Sequence, residues 1–64
     1  MHLLRRIEIY LRRSGIAPAR FGREAARDPR LVFDLRRGRE PRATLKRRLE
    51  AFLDLGERAL EEKQ

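Results

Sequence analysis

The chain of 64 residues contains no cysteine and a single histidine. The absence of cysteine excludes disulfide bonds and thiolate metal sites. His2 alone cannot form the cluster of imidazoles that a histidine metal site needs, so we expect no metal and no cofactor. Because a chain of this length buries only a small core, helix packing or self-association must support the fold.

The sequence also lacks the arrangements that catalysis requires. Ser14 and Thr44 have no histidine base to activate them, and positions at helix boundaries account for both. Most acidic residues lie near arginines, which favours ionised, paired carboxylates over an acid with a raised pKa. There is no glycine-rich phosphate-binding loop. We therefore expect that the protein is not an enzyme.

Long apolar runs are missing as well. The first residues contain no apolar run of the kind found in a signal peptide. Nowhere does the chain approach the roughly 20 consecutive apolar residues of a membrane span. We therefore expect a cytoplasmic protein with no membrane partner.

Acidic residues are scarce in most of the chain. Seventeen Lys and Arg, fifteen of them Arg, stand against ten Asp and Glu, and the formal net charge is +7. Residues 1–48 hold 15 cations and 5 anions, whereas residues 49–64 hold 2 cations and 5 anions. This cationic excess favours a polyanionic partner, and the acidic C-terminal segment must face something else.

What the sequence does contain is helical periodicity. Apolar residues recur at the spacing of amphipathic helices. No segment long enough to form a strand alternates between apolar and polar residues. The pattern predicts one all-α domain spanning residues 1–64, built as a compact four-helix arrangement with an extended C-terminal helix. The predicted helices are 3–13, 18–26, 29–37 and 44–62.

Helix-boundary residues and apolar faces support these ranges. Gly15 ends the first helix, Pro18 opens the second, Asp28 caps the third and Gly38 ends it. Gly56 costs about 1 kcal/mol inside the last helix, and the alternative to one continuous helix is that its last two turns fray or bend away. The residues predicted to face the core are Leu3, Leu4, Ile7, Tyr10, Leu11, Phe21, Gly22, Ala25, Leu31, Val32, Leu35, Leu45, Leu49, Phe52, Leu53, Gly56, Ala59 and Leu60.

The second and third helices, with the tight turn between them, fit a helix-turn-helix motif over about residues 16–38. The segment 21–38 resembles the core of the Cro and phage-repressor-like, Xre-type, DNA-binding domain. That pattern has a large and then a small residue in the scaffold helix, a polar cap, a β-branched residue and a closing glycine. The positions that match it are Phe21, Gly22, Asp28, Val32, Leu35 and Gly38. The resemblance covers about residues 16–53.

The chain departs from the family pattern at three places. Ala26 and Arg27 stand in the turn where the family commonly has glycine and an apolar residue, so Pro29 is expected to tighten the turn instead. The scaffold helix opens with Ala17 and Pro18, which removes a glutamine-mediated contact. The last helix is extended where the family has a separate fifth helix.

The resemblance implies that the recognition helix 29–37 enters the major groove and reads bases with Pro29, Arg30, Phe33 and Asp34. The outward face favours the same residues, because Arg30 can bind guanine O6 and N7, and Phe33 can contact a thymine methyl. Asp34 is expected to accept from cytosine N4 or to hold Arg30 in one rotamer. The alternatives are a plain surface pair of Arg30 with Asp34, and packing of Phe33 into the core.

The cations that follow the recognition helix are assigned to DNA phosphates, because a helix end, a turn and a helix start cannot all enter one groove. Arg20, beside the amides at the start of the second helix, is expected to hold another phosphate. The alternative is a solvated basic surface. The expected phosphate-binding residues are Arg20, Arg36, Arg37, Arg39, Arg42, Lys46 and Arg47, with Arg48 in the same run.

A single small domain makes few base contacts, and proteins of this type bind paired half-sites as dimers. The acidic half of the last helix should stay off the DNA, which predicts a homodimer surface there. The alternative is that Leu53 and Leu60 only cover the core of the monomer. The expected dimer residues are Leu53, Leu55, Ala59 and Leu60, with Ile9 as an additional candidate.

These features predict a sequence-specific regulator of transcription that binds double-stranded DNA, most simply a bacterial or phage repressor, associated with the nucleoid, that occupies an inverted repeat as a homodimer. One alternative is an RNA-binding or non-specific nucleic-acid-binding protein, although Tyr10, Phe21 and Phe52 lie on buried stripes and offer no stacking platform. The other is a DNA-binding adaptor or coactivator that docks a partner protein through the last helix. No small-molecule substrate is evident.

Overall fold

The computed structural model describes residues 2–62 and has four α-helices: α1 Leu3–Ser14, α2 Pro18–Ala26, α3 Leu31–Arg36 and α4 Ala43–Glu62. No strand occurs in this described part, and the prediction of a compact all-α domain with four helices is confirmed. Helices α1 and α2 each pack against both α3 and α4. Among residues 2–62, none of the helices combines the length and the apolar character needed to cross a membrane.

The core lies where the apolar faces of the four helices meet. The Phe21 ring contacts two others, with its centroid 5.9 Å from that of Tyr10 and 5.4 Å from that of Phe52. These tilted and edge-on arrangements are the ones that aromatic pairs prefer. The periodicity located the core correctly, since of the residues predicted to face it only Ala59 is exposed. The buried residues are Ile7, Tyr10, Leu11, Phe21, Ala25, Leu31, Val32, Leu35, Leu49 and Leu53.

Most predicted helix boundaries are confirmed, including the continuous last helix, and the alternative that it frays or bends away after Gly56 is wrong. Helix α4 continues without a break through Gly56 to Glu62. A Cβ atom at Gly56 would lie 2.7 Å from Cζ of Tyr10, closer than real Cβ atoms approach a neighbour. Gly56 therefore allows α1 to pack closely on α4, and this packing offsets the intrinsic cost of glycine inside a helix.

The third helix is shorter than predicted. Pro29 and Arg30 belong to a turn before α3, in which the Leu31 N–H donates to the Asp28 carbonyl at 3.1 Å. Arg30 has φ −93° and ψ −1°, the values of the third residue of a type I turn. The Asp28 carboxylate accepts from the Arg30 N–H at 3.0 Å, so it caps this turn and not the helix itself. The same residues that signal a helix start also favour a type I turn, with Asp first and Pro second.

Candidate nucleic-acid interface

The turn between α2 and α3 is held by the backbone. The Arg27 N–H donates to the Arg23 carbonyl at 2.9 Å, and the Asp28 N–H donates to the Gly22 carbonyl at 3.1 Å. This fold-back brings the Asp28 carbonyl onto Gly22 so closely that a Cβ there would overlap it. Arg27 takes the left-handed conformation, with φ 55°, at a position where glycine is the usual residue. The turn is therefore tightened by Gly22 and Arg27 as well as by Pro29.

Arg30 and Pro29 are both exposed at the tip of this turn. Arg30 therefore lies just before α3. The sequence predicted it inside the first turn of this helix, and that placement is wrong. Among residues 2–62, the Arg30 guanidinium takes part in none of the ion pairs, so neither predicted pairing with Asp34 forms. The side chain is available to a ligand.

Phe33 is 43% exposed on the outer face of α3, so it does not pack back into the core. The Arg36 guanidinium lies 5.7 Å from the centroid of the Phe33 ring, within the range of a cation–π contact. Arg36 also donates two hydrogen bonds to the Glu8 carboxylate on α1, at 2.8 and 2.7 Å. This bidentate pair lowers the pKa of Glu8 below its ordinary value and fixes Arg36 beside the ring.

Asp34 pairs with Arg39 instead of Arg30. Nη1 of Arg39 lies 3.5 Å from Oδ2 of Asp34 and donates a hydrogen bond of 3.2 Å to Oδ2 of Asp28. The Arg39 side chain thus joins the turn that carries Arg30 to the connection after α3. We call these three residues, Asp28, Asp34 and Arg39, the arginine bridge.

The residues expected to bind phosphate fall into two groups. Arg20 pairs with Glu24 one turn along α2, at 2.8 Å, while Arg36 and Arg39 are held as described above. The remaining side chains are exposed and belong to none of the ion pairs within residues 2–62. These unpaired cations are Arg37, Arg42, Lys46 and Arg47, with Arg48 beside them.

Two shallow concavities bring several of these cations together. The first has a volume of about 270 Å³ and includes Arg39 and Lys46 among its lining residues, with Leu3 and Leu4 from the start of α1. The second includes Arg39, Arg42 and Arg48. Arg39 and Glu40 line both, so the connection between α3 and α4 forms one surface with the first turns of α4, and its cations outnumber the single carboxylate of Glu40.

The predicted dimer residues do not form one surface. Leu53 is fully buried in the core, so its assignment to a dimer surface is wrong, and the alternative that it covers the monomer core is right. Leu60 is half-buried against the same core, and Ile9 is half-buried on α1. Only Leu55, which is 67% exposed, and Ala59 remain on the outer side of α4.

Sequence reasoning missed the ion pairs that join separate helices. Arg6 on α1 bonds both Asp54 and Glu57 on α4, with hydrogen bonds of 3.1 and 2.8 Å to the Glu57 carboxylate. These bonds lower the pKa of Glu57 and raise that of Arg6. The spacing of Asp54 and Glu57 places two carboxylates on one side of a helix, but nothing in the sequence names their partner.

Among residues 2–62, no group of three or more histidine, aspartate or glutamate side chains could hold a metal ion. Comparison of the chain with protein-family models, with curated proteins and with solved structures gives no match. The functional interpretation therefore depends on the residues and on their geometry.

Proposed function

We propose that the protein is a transcriptional regulator that binds double-stranded DNA and reads sequence with the turn before α3 and the outer face of α3. The observation that carries the proposal is the arginine bridge. Through Arg39 it ties the turn that carries Arg30, and Asp34 beside Phe33 on α3, to the α3–α4 connection. This supports a single surface with both types of contact that specific DNA binding needs.

Base reading is assigned to Arg30 and Phe33. The Arg30 guanidinium is exposed at the leading end of α3, where it can donate to guanine O6 and N7. Phe33 presents an apolar surface to a thymine methyl, and the Glu8–Arg36 pair supports the ring from one side. Asp34 is a weaker candidate for base reading than the sequence predicts, because a hydrogen bond from cytosine N4 would compete with its pairing to Arg39.

Phosphate binding is assigned first to Arg37, Arg42, Lys46 and Arg47. Within the described residues none of them forms an ion pair with a carboxylate, and an excess of like charges in one region favours a polyanion. Arg20 and Arg36 remain candidates only if a phosphate replaces the carboxylates that now hold them. Arg39 is better placed to position the turn than to contact DNA.

Repression follows from occupancy: two copies on an inverted repeat would block access to a promoter without any enzymatic activity. An RNA-binding or coating role has less support. Phe33 is the single strongly exposed aromatic side chain in residues 2–62, whereas binding of single strands relies on several stacked rings. An adaptor role would require a partner protein on α4.

The direct test is selection of bound sequences from a random pool of duplex DNA, with a single-stranded and an RNA pool as parallel arms. We expect enrichment of a symmetric duplex site with two half-sites. Enrichment of RNA or of single strands, or retention of duplex DNA without any preferred sequence, would contradict the proposal.

A further inference from the structure

Helix α4 has an outer face that no other part of the described chain covers. Ala51, Leu55 and Ala59 follow one another at intervals of four residues, so they lie on one side of the helix, and all three are exposed. Leu55 is the most exposed large apolar side chain among residues 2–62. A leucine flanked on both sides by alanines leaves room for the backbone of a second helix to approach closely.

The charges along α4 are divided between its two halves. Lys46, Arg47 and Arg48 lie in the first half, which has no acidic residue before Glu50. The second half is acidic, and Arg58 is its one cation up to Glu62. A second α4 running antiparallel brings the basic half of each helix against the acidic half of the other, whereas a parallel pairing sets like charges together.

We propose that two copies of the chain associate through antiparallel packing of α4 on α4, centred on Leu55. In this register residues at equal sequence distance from Leu55 face each other. Leu55 therefore meets the partner's Leu55, Ala51 meets the partner's Ala59, and Arg48 meets the partner's Glu62. Arg58, at the flank, comes close to the partner's Asp54. The apolar centre excludes water and the charged ends fix the direction and the register.

This inference deepens the proposed function, since it says how two copies would meet, but its support lies in α4 alone. Lys46 precedes Leu55 by nine residues and lies on the opposite side of the helix, and Arg42 precedes α4. The contact therefore leaves both of these cations accessible to phosphate. Arg48 is not needed for base reading, and we assign it to the dimer contact.

The expected dimer is weak and reversible. One helix from each copy, packed over a few turns, buries less than the roughly 1,200 Å² at which stable interfaces begin. Sedimentation equilibrium of the whole chain without DNA, from micromolar to millimolar concentration, measures such an association directly. We expect a monomer–dimer equilibrium that Leu55→Lys abolishes. Circular dichroism of this variant should show the helical content of the original chain, because position 55 is exposed.

Charge reversal tests the register. Arg48→Glu and Glu62→Arg, each alone, place two repulsive pairs in the dimer, and we expect about tenfold weaker association for each. An equal mixture of the two variants restores both pairs in the heterodimer, so the association should return to that of the original chain. Arg23→Glu on α2 is the control, because it changes the net charge by the same amount as Arg48→Glu. This variant should associate as strongly as the original chain, without any second variant to restore its association.

A chain that stays monomeric up to millimolar concentration would overturn the proposal, and so would a mixture that associates no better than the single variants. Neither outcome depends on DNA. If the chain forms the dimer but selects no DNA site, the proposed function fails and this inference stands. If it binds a DNA site but the mixture shows no rescue, only the inference fails.

Discussion

At the scale of single residues, the α2–α3 turn depends on two positions that both favour glycine, although only one of them has it. Gly22 has no side chain because the Asp28 carbonyl lies against it. Arg27 has a side chain although its backbone is left-handed, a conformation that costs most residues about 1 kcal/mol or more. The chain thus carries a small backbone strain at Arg27, next to the turn assigned to base reading, and the tight packing of Gly22 maintains it.

Replacing Arg27 by glycine should relieve this strain. We expect Arg27→Gly to raise the free energy of unfolding by about 0.5 to 1 kcal/mol, since glycine adopts a positive φ without steric cost. Urea denaturation at neutral pH measures the change. The matched control is Arg23→Gly, which removes the same side chain from the interior of α2 and should lower the stability by about 1 kcal/mol. Equal losses in both variants would mean that the Arg27 side chain stabilises the fold.

Two arginines on the proposed interface should behave differently. Arg30→Ala should cost about 1 to 3 kcal/mol on the selected DNA site and relax the preference at one base pair in each half-site. Arg42→Ala should weaken binding to all sequences about equally, because a phosphate contact carries no sequence information. Titration of both variants against the selected site and a scrambled duplex separates these effects. If Arg30→Ala weakens binding to both duplexes equally, Arg30 contacts phosphate and α3 loses its role in reading bases.

At the scale of helices, the contact between α1 and α4 combines close packing with an ion-pair network. Gly56 lets Tyr10 approach α4, and one turn away Arg6 bonds Asp54 and Glu57. The Glu57 pKa is lowered in the fold, so the folded chain binds fewer protons there than the unfolded chain. The stabilising effect of this pair is complete above the ordinary glutamate pKa and is lost as the pH falls through the lower, folded value.

We therefore expect acid to weaken the α1–α4 contact. The free energy of unfolding should decrease as the pH falls below about 4.3, the ordinary pKa of glutamate. Glu57→Gln should lower stability by about 1 kcal/mol at neutral pH and make the acid-dependent decrease shallower. Glu61→Gln is the control, because Glu61 is exposed and belongs to none of the ion pairs in residues 2–62. An identical pH profile for Glu57→Gln and the original chain would exclude this pair as the cause.

The same scale shows what the sequence can predict and what it cannot. Periodicity identified all four helices and nearly every inward position, since burial of one apolar face repeats with the helical turn. It failed where a local signal has two solutions: Asp28 and Pro29 open either a helix or a type I turn. It also failed to pair Arg36 with Glu8 or Arg39 with Asp28, because such pairs depend on how helices meet in space. The base-reading and phosphate-binding roles remain predictions.

At the scale of the whole molecule, the uneven charge of the sequence becomes a division of the surface. Two of the unpaired cations assigned to phosphate, Arg42 and Lys46, line the concavities at the start of α1, the α3–α4 connection and the start of α4. The carboxylates of Asp54 and Glu57 lie toward the other end of α4, where Arg6 joins them. Arg6 is the main cause of the lowered pKa of Glu57, and Arg13, at the end of α1, lies near enough to lower it further, so Arg13 belongs to the acidic side.

This division predicts how salt should affect DNA binding. Each phosphate neutralised on duplex DNA contributes about −0.9 to the slope of log K against log salt, so the four unpaired cations assigned to phosphate should give about −3.6 per bound subunit. Measurement of affinity at several salt concentrations yields the slope, and Arg42→Ala should make it less negative by about 0.9 per subunit. Arg13→Ala removes the same charge from the chain but from the acidic side, so it should leave the slope unchanged. If both variants change the slope equally, net charge alone attracts the DNA, and the basic surface around the α3–α4 connection has no special part in binding.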